Sequence, residues 1–191
     1  MPAVLTSKDE VVERLFTVFR DRGFEGASLA DLSRATGLGR SSLYHHFPDG
    51  KKQMAAVVLA RAEAVSDTQI FQVAQAPESL KVRVRKIVSG LERFYAGGRS
   101  SCILGQFATA SIGPSARESL KQSLKQWVTA ITKLARDSGM TEVRARDFAE
   151  DWVARLQGAL IVQAINGSTS AFERALKALL DLAKDKRQER T

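Results

Sequence analysis

Apolar residues recur along the chain at the three- and four-residue spacing of amphipathic helices, and no stretch alternates with a period of two. Glycine and proline interrupt this pattern, and the capping-box spacing of Ser7 and Glu10 marks the first helix start. The pattern predicts an all-α fold without strands and a frayed tail from residue 184. About nine helices are expected, at about residues 7–23, 28–37, 40–47, 51–66, 78–95, 101–107, 114–139, 143–165 and 170–184.

The second and third predicted helices are short and meet at Gly37, in the stretch GLGRSSLYHHFP. Leu43 and Phe47 are expected to face the first helix, which leaves the polar residues facing outward. This pattern is typical of a helix-turn-helix, whose second helix lies in the DNA major groove. The pattern alone also admits a surface helical hairpin that does not bind DNA.

The polar residues of this stretch are candidates for DNA contacts. The first turn of a recognition helix meets base edges, where arginine can donate two hydrogen bonds to guanine and serine can pair with several bases. Residues one turn further on, and the start of the next helix, are expected to meet phosphates. The predicted base contacts are Arg40, Ser41 and Ser42, and the remaining predicted DNA contacts are Ser28, Tyr44, His45 and Lys51.

Charge adds little to this interpretation. The formal net charge is +8 and the isoelectric point is about 9.9, which permits a polyanionic partner. However, the first 51 residues hold seven basic and seven acidic side chains, so the excess lies elsewhere in the chain. Net charge is therefore weak support for nucleic-acid binding.

Other features favour a cytosolic protein. The chain has one cysteine, Cys102, so no intrachain disulfide can form. The N-terminus lacks the pattern of a secretory signal, and the longest apolar stretch, at about 159–165, is too short to cross a bilayer. We expect no membrane partner, no metal site and no cofactor.

Residues from about Val11 to Val57 resemble the DNA-binding domain of the TetR family of bacterial repressors. Ser33 stands where that family usually has alanine, and Gly39 where it often has a serine cap. Both departures are small and are expected at most to loosen the recognition helix. The resemblance implies a helix-turn-helix domain at 1–50, a linking helix at 51–66, and an effector-binding and dimerisation domain within 51–191. It rests on Gly23-Phe24, Ser28–Leu32, Ala35–Leu38, Leu43–Phe47 and Lys51.

The remainder of the chain resembles one branch of that family, the LmrA/YxaF-type and N-ethylmaleimide-responsive repressors, through Ser101–Leu104 and Gln157–Leu160. The resemblance implies a pocket between helices, and few charges fall on the predicted inward faces. We therefore expect a small, uncharged or weakly polar, partly aromatic effector. Each candidate lining residue also fits plain core, and the candidates are Phe94, Cys102, Phe107, Trp127, Trp152, Leu156 and Gln157.

The last two predicted helices suggest a homodimer. The helix at 143–165 becomes apolar nearly all round after Gly158, so it needs cover on more than one side. Two recognition helices in a dimer would read a pseudo-palindrome. The same stripes could instead only seal the core of one chain. The predicted interface residues are Val153, Leu160, Phe172, Leu176, Leu179 and Ala183.

Cys102 admits two interpretations. Its place near a helix start, with Arg99 nearby, favours the reactive thiolate of an electrophile or oxidant sensor. The other interpretation, which we favour, is a small apolar side chain on the core side of the helix.

The leading hypothesis is a transcriptional regulator, a repressor that an effector releases from double-stranded operator DNA. The alternatives are a repressor that senses thiol-reactive compounds through Cys102, and a helical small-molecule-binding module without DNA binding. An enzyme would need Cys102 with His45 or His46 as its base, and both histidines fall on the predicted recognition helix. They are adjacent, not at the spacing that puts two ligands on one helix face. We therefore do not expect an enzyme.

Overall fold

A computed structural model describes residues 7–184 of the chain, which carry ten α-helices, one π-helical segment and no strand. The prediction of an all-α fold is confirmed. The π-helical segment Asp67–Phe71 joins α4 to α5 without a break, so the described residues form nine helical rods. The helices are α1 (Lys8–Gly26), α2 (Leu29–Thr36), α3 (Arg40–His46), α4 (Lys51–Ser66), α5 (Gln72–Gln75), α6 (Leu80–Phe94), α7 (Ile103–Phe107), α8 (Pro114–Asp137), α9 (Glu142–Asn166) and α10 (Ser170–Leu182).

The described chain divides into two compact units. Unit 1 contains the residues up to 64 together with 102–121, and unit 2 contains 65–101 together with the residues from 122 onward. The unit boundaries fall within α4 and α8. The predicted functional division at residue 50 is a separate matter and stays a prediction.

Local signals explain where the helices of unit 1 begin and end. The backbone N–H of Glu10 donates to Ser7 Oγ (3.2 Å) at the start of α1. Ser28 and Asp31 cap α2 reciprocally, and Gly37 ends α2 in the left-handed region at φ +74°. Gly23, the expected end of the first helix, has φ +67° and marks a kink, after which α1 continues to Gly26. The predicted boundaries therefore hold to within one turn.

Aromatic packing forms much of the core of unit 1. Phe19 is fully buried, and its ring meets the ring of Phe107 edge-on at a centroid distance of 5.5 Å. Phe24 packs on the same ring at 6.0 Å. Burial of a large aromatic side chain contributes on the order of 2–3 kcal/mol. These contacts tie α7 to α1, although the two helices are far apart in the sequence.

Unit 2 contains two buried tryptophans and an ion pair whose arginine is buried. Trp127 and Trp152 stack with a centroid distance of 6.3 Å, and Trp152 Nε1 donates to the carbonyl of Ala175 (2.8 Å). Arg83 is buried and donates to the carbonyl of Ala74 (2.6 Å) and to Asp137 Oδ2 (2.7 Å). A buried guanidinium requires such partners, because its desolvation is otherwise unfavourable.

The structure differs from the sequence-based expectation at residues 67–75. No element was expected there, yet the helical run continues through the π-helical segment and α5 to Gln75. The expected frayed tail lies outside the described residues, except for Lys184. None of the helices within 7–184 is long and apolar enough to cross a bilayer. Nor do these residues hold a cluster of three or more side chains suited to binding a metal ion.

Candidate nucleic-acid interface and effector cavity

The turn between α2 and α3 is fixed by side chains that bond to its backbone. Ser33 Oγ donates to the carbonyl of Leu38 (2.6 Å), and Thr36 Oγ1 accepts from the N–H of Leu38 (3.3 Å). Arg14 of α1 donates to the carbonyl of Thr36 (3.2 Å). Ser33 was expected at most to loosen this unit, but its hydroxyl instead ties the turn. The geometry holds α3 firmly relative to α2.

The two faces of α3 divide as the sequence predicted. Leu43 and Phe47 are each only 1% exposed and anchor the helix in unit 1. Arg40, Ser41 and Ser42 are exposed, and their side chains make no hydrogen bond or ion pair within residues 7–184. Three donor side chains without a partner among the described residues therefore stand on the first turn of a rigidly held helix.

Tyr44 is held at the edge of this face. Its side chain is 47% exposed, and one side of its ring lies against Gly50, which has φ +62°. Anchoring of the ring fixes the direction of the phenol without burying it. The neighbouring His45 is exposed, with its ring 5.8 Å from the ring of His46.

Lys51 begins α4 and is also held in place. Its Nζ lies 4.7 Å from the centre of the Phe24 ring and donates to the carbonyl of Glu25 (3.4 Å). Partial burial lowers the pKa of the Lys51 ammonium from its ordinary value, while the charge of Glu25 acts in the opposite direction. A positioned ammonium beside the free N–H groups of a helix start suits an anion such as a phosphate.

Ser28 has a structural role at the start of α2. Its hydroxyl donates to Asp31 Oδ2 (2.6 Å) and accepts from the N–H of Asp31 (3.1 Å). The hydrogen bonds from the Ser28 side chain and backbone hold the pKa of the Asp31 carboxyl below its usual range, helped by Arg22 and Arg34. A DNA contact by Ser28 stays a prediction.

Two supporting residues were not found from the sequence. Gly50, in the turn after α3, makes room for the Tyr44 ring. Glu25 was given no role, yet its Oε1 accepts from the N–H of Ser111 (3.1 Å) while its carbonyl accepts from Lys51. The two contacts of Glu25 have no local signal, because their partners Ser111 and Lys51 are distant in the sequence.

The predicted effector-lining residues are divided between the two units. Phe94 and Trp127 border a cavity of about 10 Å³ in unit 2, and Trp152 stacks on Trp127. Leu156 is buried and Gln157 is half-buried in the same unit. Phe107 belongs to unit 1, where it packs on Phe19 and Phe24.

Cys102 also belongs to unit 1, at the N-cap position of α7, and is only 6% exposed. This burial agrees with a core role. The sensor role stays a prediction.

The predicted interface residues are largely buried by the chain's own packing. Ala183 is half-buried, and the other predicted residues are at most 6% exposed. The uncovered apolar surface lies beside them, at Ile161 (59% exposed), Val162 (43%) and Ile165 (81%) on α9. These three residues share one side of the helix. The predicted interface residues thus face the core of their own chain, and their part in a dimer stays a prediction.

Comparison with known proteins gives two family matches. Residues 11–58 match the family of bacterial regulatory proteins described as the tetR family. Residues 83–178 match the C-terminal domain described as transcriptional regulator LmrA/YxaF-like. The two matches cover the helix-turn-helix and most of unit 2.

Similar proteins extend over nearly the whole chain. The HTH-type transcriptional regulator LmrA of Bacillus subtilis is 22% identical over 190 residues, covering 93% of this chain and 97% of LmrA. A TetR transcriptional regulator from Legionella pneumophila superposes with a TM-score of 0.81 at 16% identity, covering 95% of this chain and 100% of that chain. The reduced form of E. coli NemR superposes with a TM-score of 0.69 at 17% identity, covering 90% and 96%. At these identities the solved structures show a common fold.

Proposed function

Since this chain belongs to the TetR family of bacterial regulatory proteins, with an LmrA/YxaF-like C-terminal domain, we propose that it is a dimeric repressor controlled by a small molecule. In this proposal each α3 enters the major groove of one half-site of a pseudo-palindromic operator. An uncharged or weakly polar effector then releases the protein from DNA. The protein acts in the cytoplasm.

The exposed first turn of α3 is the observation that carries the proposal. Arg40, Ser41 and Ser42 have no partner within the described chain, while Leu43 and Phe47 hold the helix from behind. Side chains without internal partners can satisfy their donors on base edges at little cost in lost intrachain bonds. Tyr44 and Lys51 flank this turn and would bind the phosphates that set the position of the helix.

Release by an effector follows from a change in the equilibrium between two dimer states. An effector lowers operator affinity only by as much as it prefers the state whose recognition helices no longer match the groove spacing. The tie from Glu25 to both Ser111 and Lys51 supports such coupling within unit 1, because it joins the segment after α7 to the start of α4.

Selection of binding sites from a random duplex pool tests the proposal. The purified chain is used at physiological salt, since salt governs such affinities. We expect enrichment of a pseudo-palindrome with half-sites about one helical turn apart. A folded chain that enriches no sequence would refute operator binding and would favour the small-molecule module without DNA binding.

A further inference from the structure

Two buried side-chain nitrogens of unit 2, Trp127 Nε1 and Arg83 Nε, have no hydrogen-bond partner among residues 7–184, and only the tryptophan lacks any other polar contact through its side chain. Trp127 is 4% exposed, and its Nε1 is buried without a hydrogen bond among residues 7–184. The stacked neighbour Trp152 differs, since its Nε1 donates to the carbonyl of Ala175 (2.8 Å). A buried indole N–H normally finds an acceptor, so an orphaned one indicates a site whose acceptor comes from elsewhere.

Trp127 borders the small cavity in unit 2, beside Phe94 and Ile70. Its volume of about 10 Å³ is room for roughly one water molecule, so the site is closed in this conformation. Phe71 meets the Trp127 ring edge-on at 6.1 Å, and Trp152 stacks on it at 6.3 Å. The Trp127 ring thus lies among aromatic rings, and the cavity that it borders is lined mainly by apolar residues, with Ser66 and Gln69 as polar members. Such a lining suits a flat, largely apolar ring.

A surface cleft of about 430 Å³ adjoins this cavity, because Gln69 and Gly90 line both. A Cβ built on Gly90 would lie 3.2 Å from Gln69 Oε1, so the amide of Gln69 rests closely on the bare backbone of α6. Gln69 therefore stands between the open cleft and the closed cavity.

The segment that carries Gln69 is suited to local movement. Gln69, Ile70 and Phe71 belong to the π-helical segment Asp67–Phe71. Single π-helical turns are rare and occur frequently at functional sites. A shift of this one turn would move Gln69 off Gly90 and widen the cavity, with α4 and α6 themselves left in place.

We propose that the effector of this protein is an uncharged aromatic molecule with a hydrogen-bond acceptor on its ring edge, which enters past Gln69 and accepts from Trp127 Nε1. This inference rests on the proposed function, because it names the effector class of the same regulator. The acceptor satisfies the orphaned N–H, and the ring occupies a widened cavity between Phe94, Ile70 and Trp127. The basic side chains of the cleft, Arg85, Lys86 and Arg93, stay outside the site.

A matched pair of probes tests the acceptor. Quinoline and naphthalene have nearly the same shape, but only quinoline carries a ring nitrogen that can accept a hydrogen bond, and it is uncharged at neutral pH. One such bond at a buried site corresponds to about three- to tenfold in affinity. We expect quinoline to bind the full chain tighter than naphthalene by this factor, and the Trp127→Phe variant to bind the two probes equally.

Indole resonances give a second readout that does not depend on DNA. The chain has two tryptophans, so a ¹⁵N-labelled sample shows two indole N–H signals, which Trp127→Phe assigns. Quinoline should shift the Trp127 signal downfield. The Trp152 signal is the internal reference, since its N–H is already bonded. Replacement of Gln69 by alanine should speed association several-fold, and an unchanged rate would overturn the entry route.

Three results would overturn the inference. The first is that neither probe binds, and the second is that the preference for quinoline survives Trp127→Phe. The third is that only the anion 2-naphthoate binds, which would assign the site to the basic cleft. Operator binding is measured separately, without probe, on the wild type and on Trp127→Phe. Loss of the quinoline effect with operator binding intact rejects only the effector class. Absence of operator binding by the wild type rejects the proposed function itself.

Discussion

The ring of Tyr44 rests on Gly50, where a Cβ would approach Tyr44 Cε1 to 3.3 Å. The glycine is also required by its backbone, which has φ +62°. One residue of the turn after α3 thus sets the direction of a side chain at the edge of the recognition face. The contact would link the geometry of this turn to the proposed DNA contact of Tyr44.

We predict that Gly50→Ala lowers operator affinity by about fivefold, the value of roughly one hydrogen bond, because the new methyl group displaces the Tyr44 phenol. Fluorescence anisotropy with the selected operator at fixed salt measures the effect. Gly113→Ala is the matched control, since Gly113 has φ +89° but no atom nearer than 4.0 Å to its Cβ. Both variants should lose about 1–2 kcal/mol of unfolding free energy. Equal operator affinity in the two would show that Tyr44 is not positioned by Gly50.

Arg40 and Lys51 should differ in what they contribute to binding. Replacement of Arg40 by alanine removes a base contact, so we expect a loss of about 1–3 kcal/mol and relaxed preference at one base pair. Replacement of Lys51 by alanine removes a phosphate contact, so affinity should fall for all sequences and the slope of log K against log salt should decrease by about one. Anisotropy titrations on the operator and its single-base variants, over a range of salt, separate the two effects.

Lys125→Ala is the control for lost charge, because Lys125 is exposed in unit 2 and makes no ion pair within residues 7–184. A reduced salt slope in this variant, equal to that of Lys51→Ala, would contradict a specific phosphate contact at Lys51.

Gly98 leaves room for the buried ring of Phe172 in the core of unit 2. It has φ +90°, and a Cβ there would lie 2.8 Å from the Phe172 ring, whereas Gly97 has φ +67° and faces only the flexible end of Arg99 at 3.4 Å. Both alanine variants strain the backbone, but only Gly98→Ala also forces a buried ring to move. We expect Gly98→Ala to cost about 1–3 kcal/mol more unfolding free energy than Gly97→Ala. Urea denaturation measures the difference, and equal losses would mean that Phe172 moves freely.

Local chemistry explains which parts of this fold are predictable from the sequence. The caps at Ser7 and Ser28 and the left-handed glycine at Gly37 act within a few residues, so the helix boundaries could be read directly. The π-helical segment has no comparable signature. Gln69 and Ile70 belong to this segment and line the small cavity of unit 2. The spacing of apolar residues along the sequence does not report such packing.

The candidate sites likewise divide into features that local sequence patterns indicate and features that depend on long-range packing. The exposed face of α3 follows from the alternation of Leu43 and Phe47 with polar neighbours, which is local. Phe107 packs on Phe19 of a helix far away in the sequence, a contact that no local pattern indicates, and its place in an effector pocket stays a prediction. Leu160 and Ile161 are adjacent and equally apolar, yet the first is buried and the second is exposed. Long-range packing of this kind leaves no trace in the spacing of either residue.

Asp137 should make part of the stability depend on pH. Burial alone would raise the pKa of its carboxyl, but hydrogen bonds and charges from Lys133 and Arg83 hold that pKa below its usual value. A lowered folded-state pKa means that the stabilisation is present above the unfolded value of about 3.9 and is lost as pH falls through the folded value. We expect Asp137→Asn to lose about 1.5–3 kcal/mol at neutral pH, because Arg83 loses a charged partner.

This difference from the wild type should shrink below about pH 4, as followed by urea denaturation across pH. Asp181→Asn is the control, since the Asp181 pKa is also lowered, by hydrogen bonds from Lys177 and Lys184, but its side chain is 40% exposed. An exposed pair should contribute less than about 1 kcal/mol. A pH-independent loss in Asp137→Asn would show that the carboxylate charge is not what stabilises unit 2.

The exposed apolar side of α9 should be the surface that joins two chains. Burial of a side chain such as Ile165 in an interface contributes about 1.5–3 kcal/mol, so Ile165→Lys should weaken a dimer by about tenfold or more. A lysine in the last turn of a helix does not disfavour folding, because it complements the helix dipole. Sedimentation velocity over a range of concentrations measures the change. Val143→Lys is the matched control, since Val143 is 70% exposed at the opposite end of the same helix and should leave the assembly unchanged. If Val143→Lys dissociates the dimer and Ile165→Lys does not, the two chains meet at the start of α9. The spacing of the two recognition helices would then follow from a dimer joined at that end of the helix.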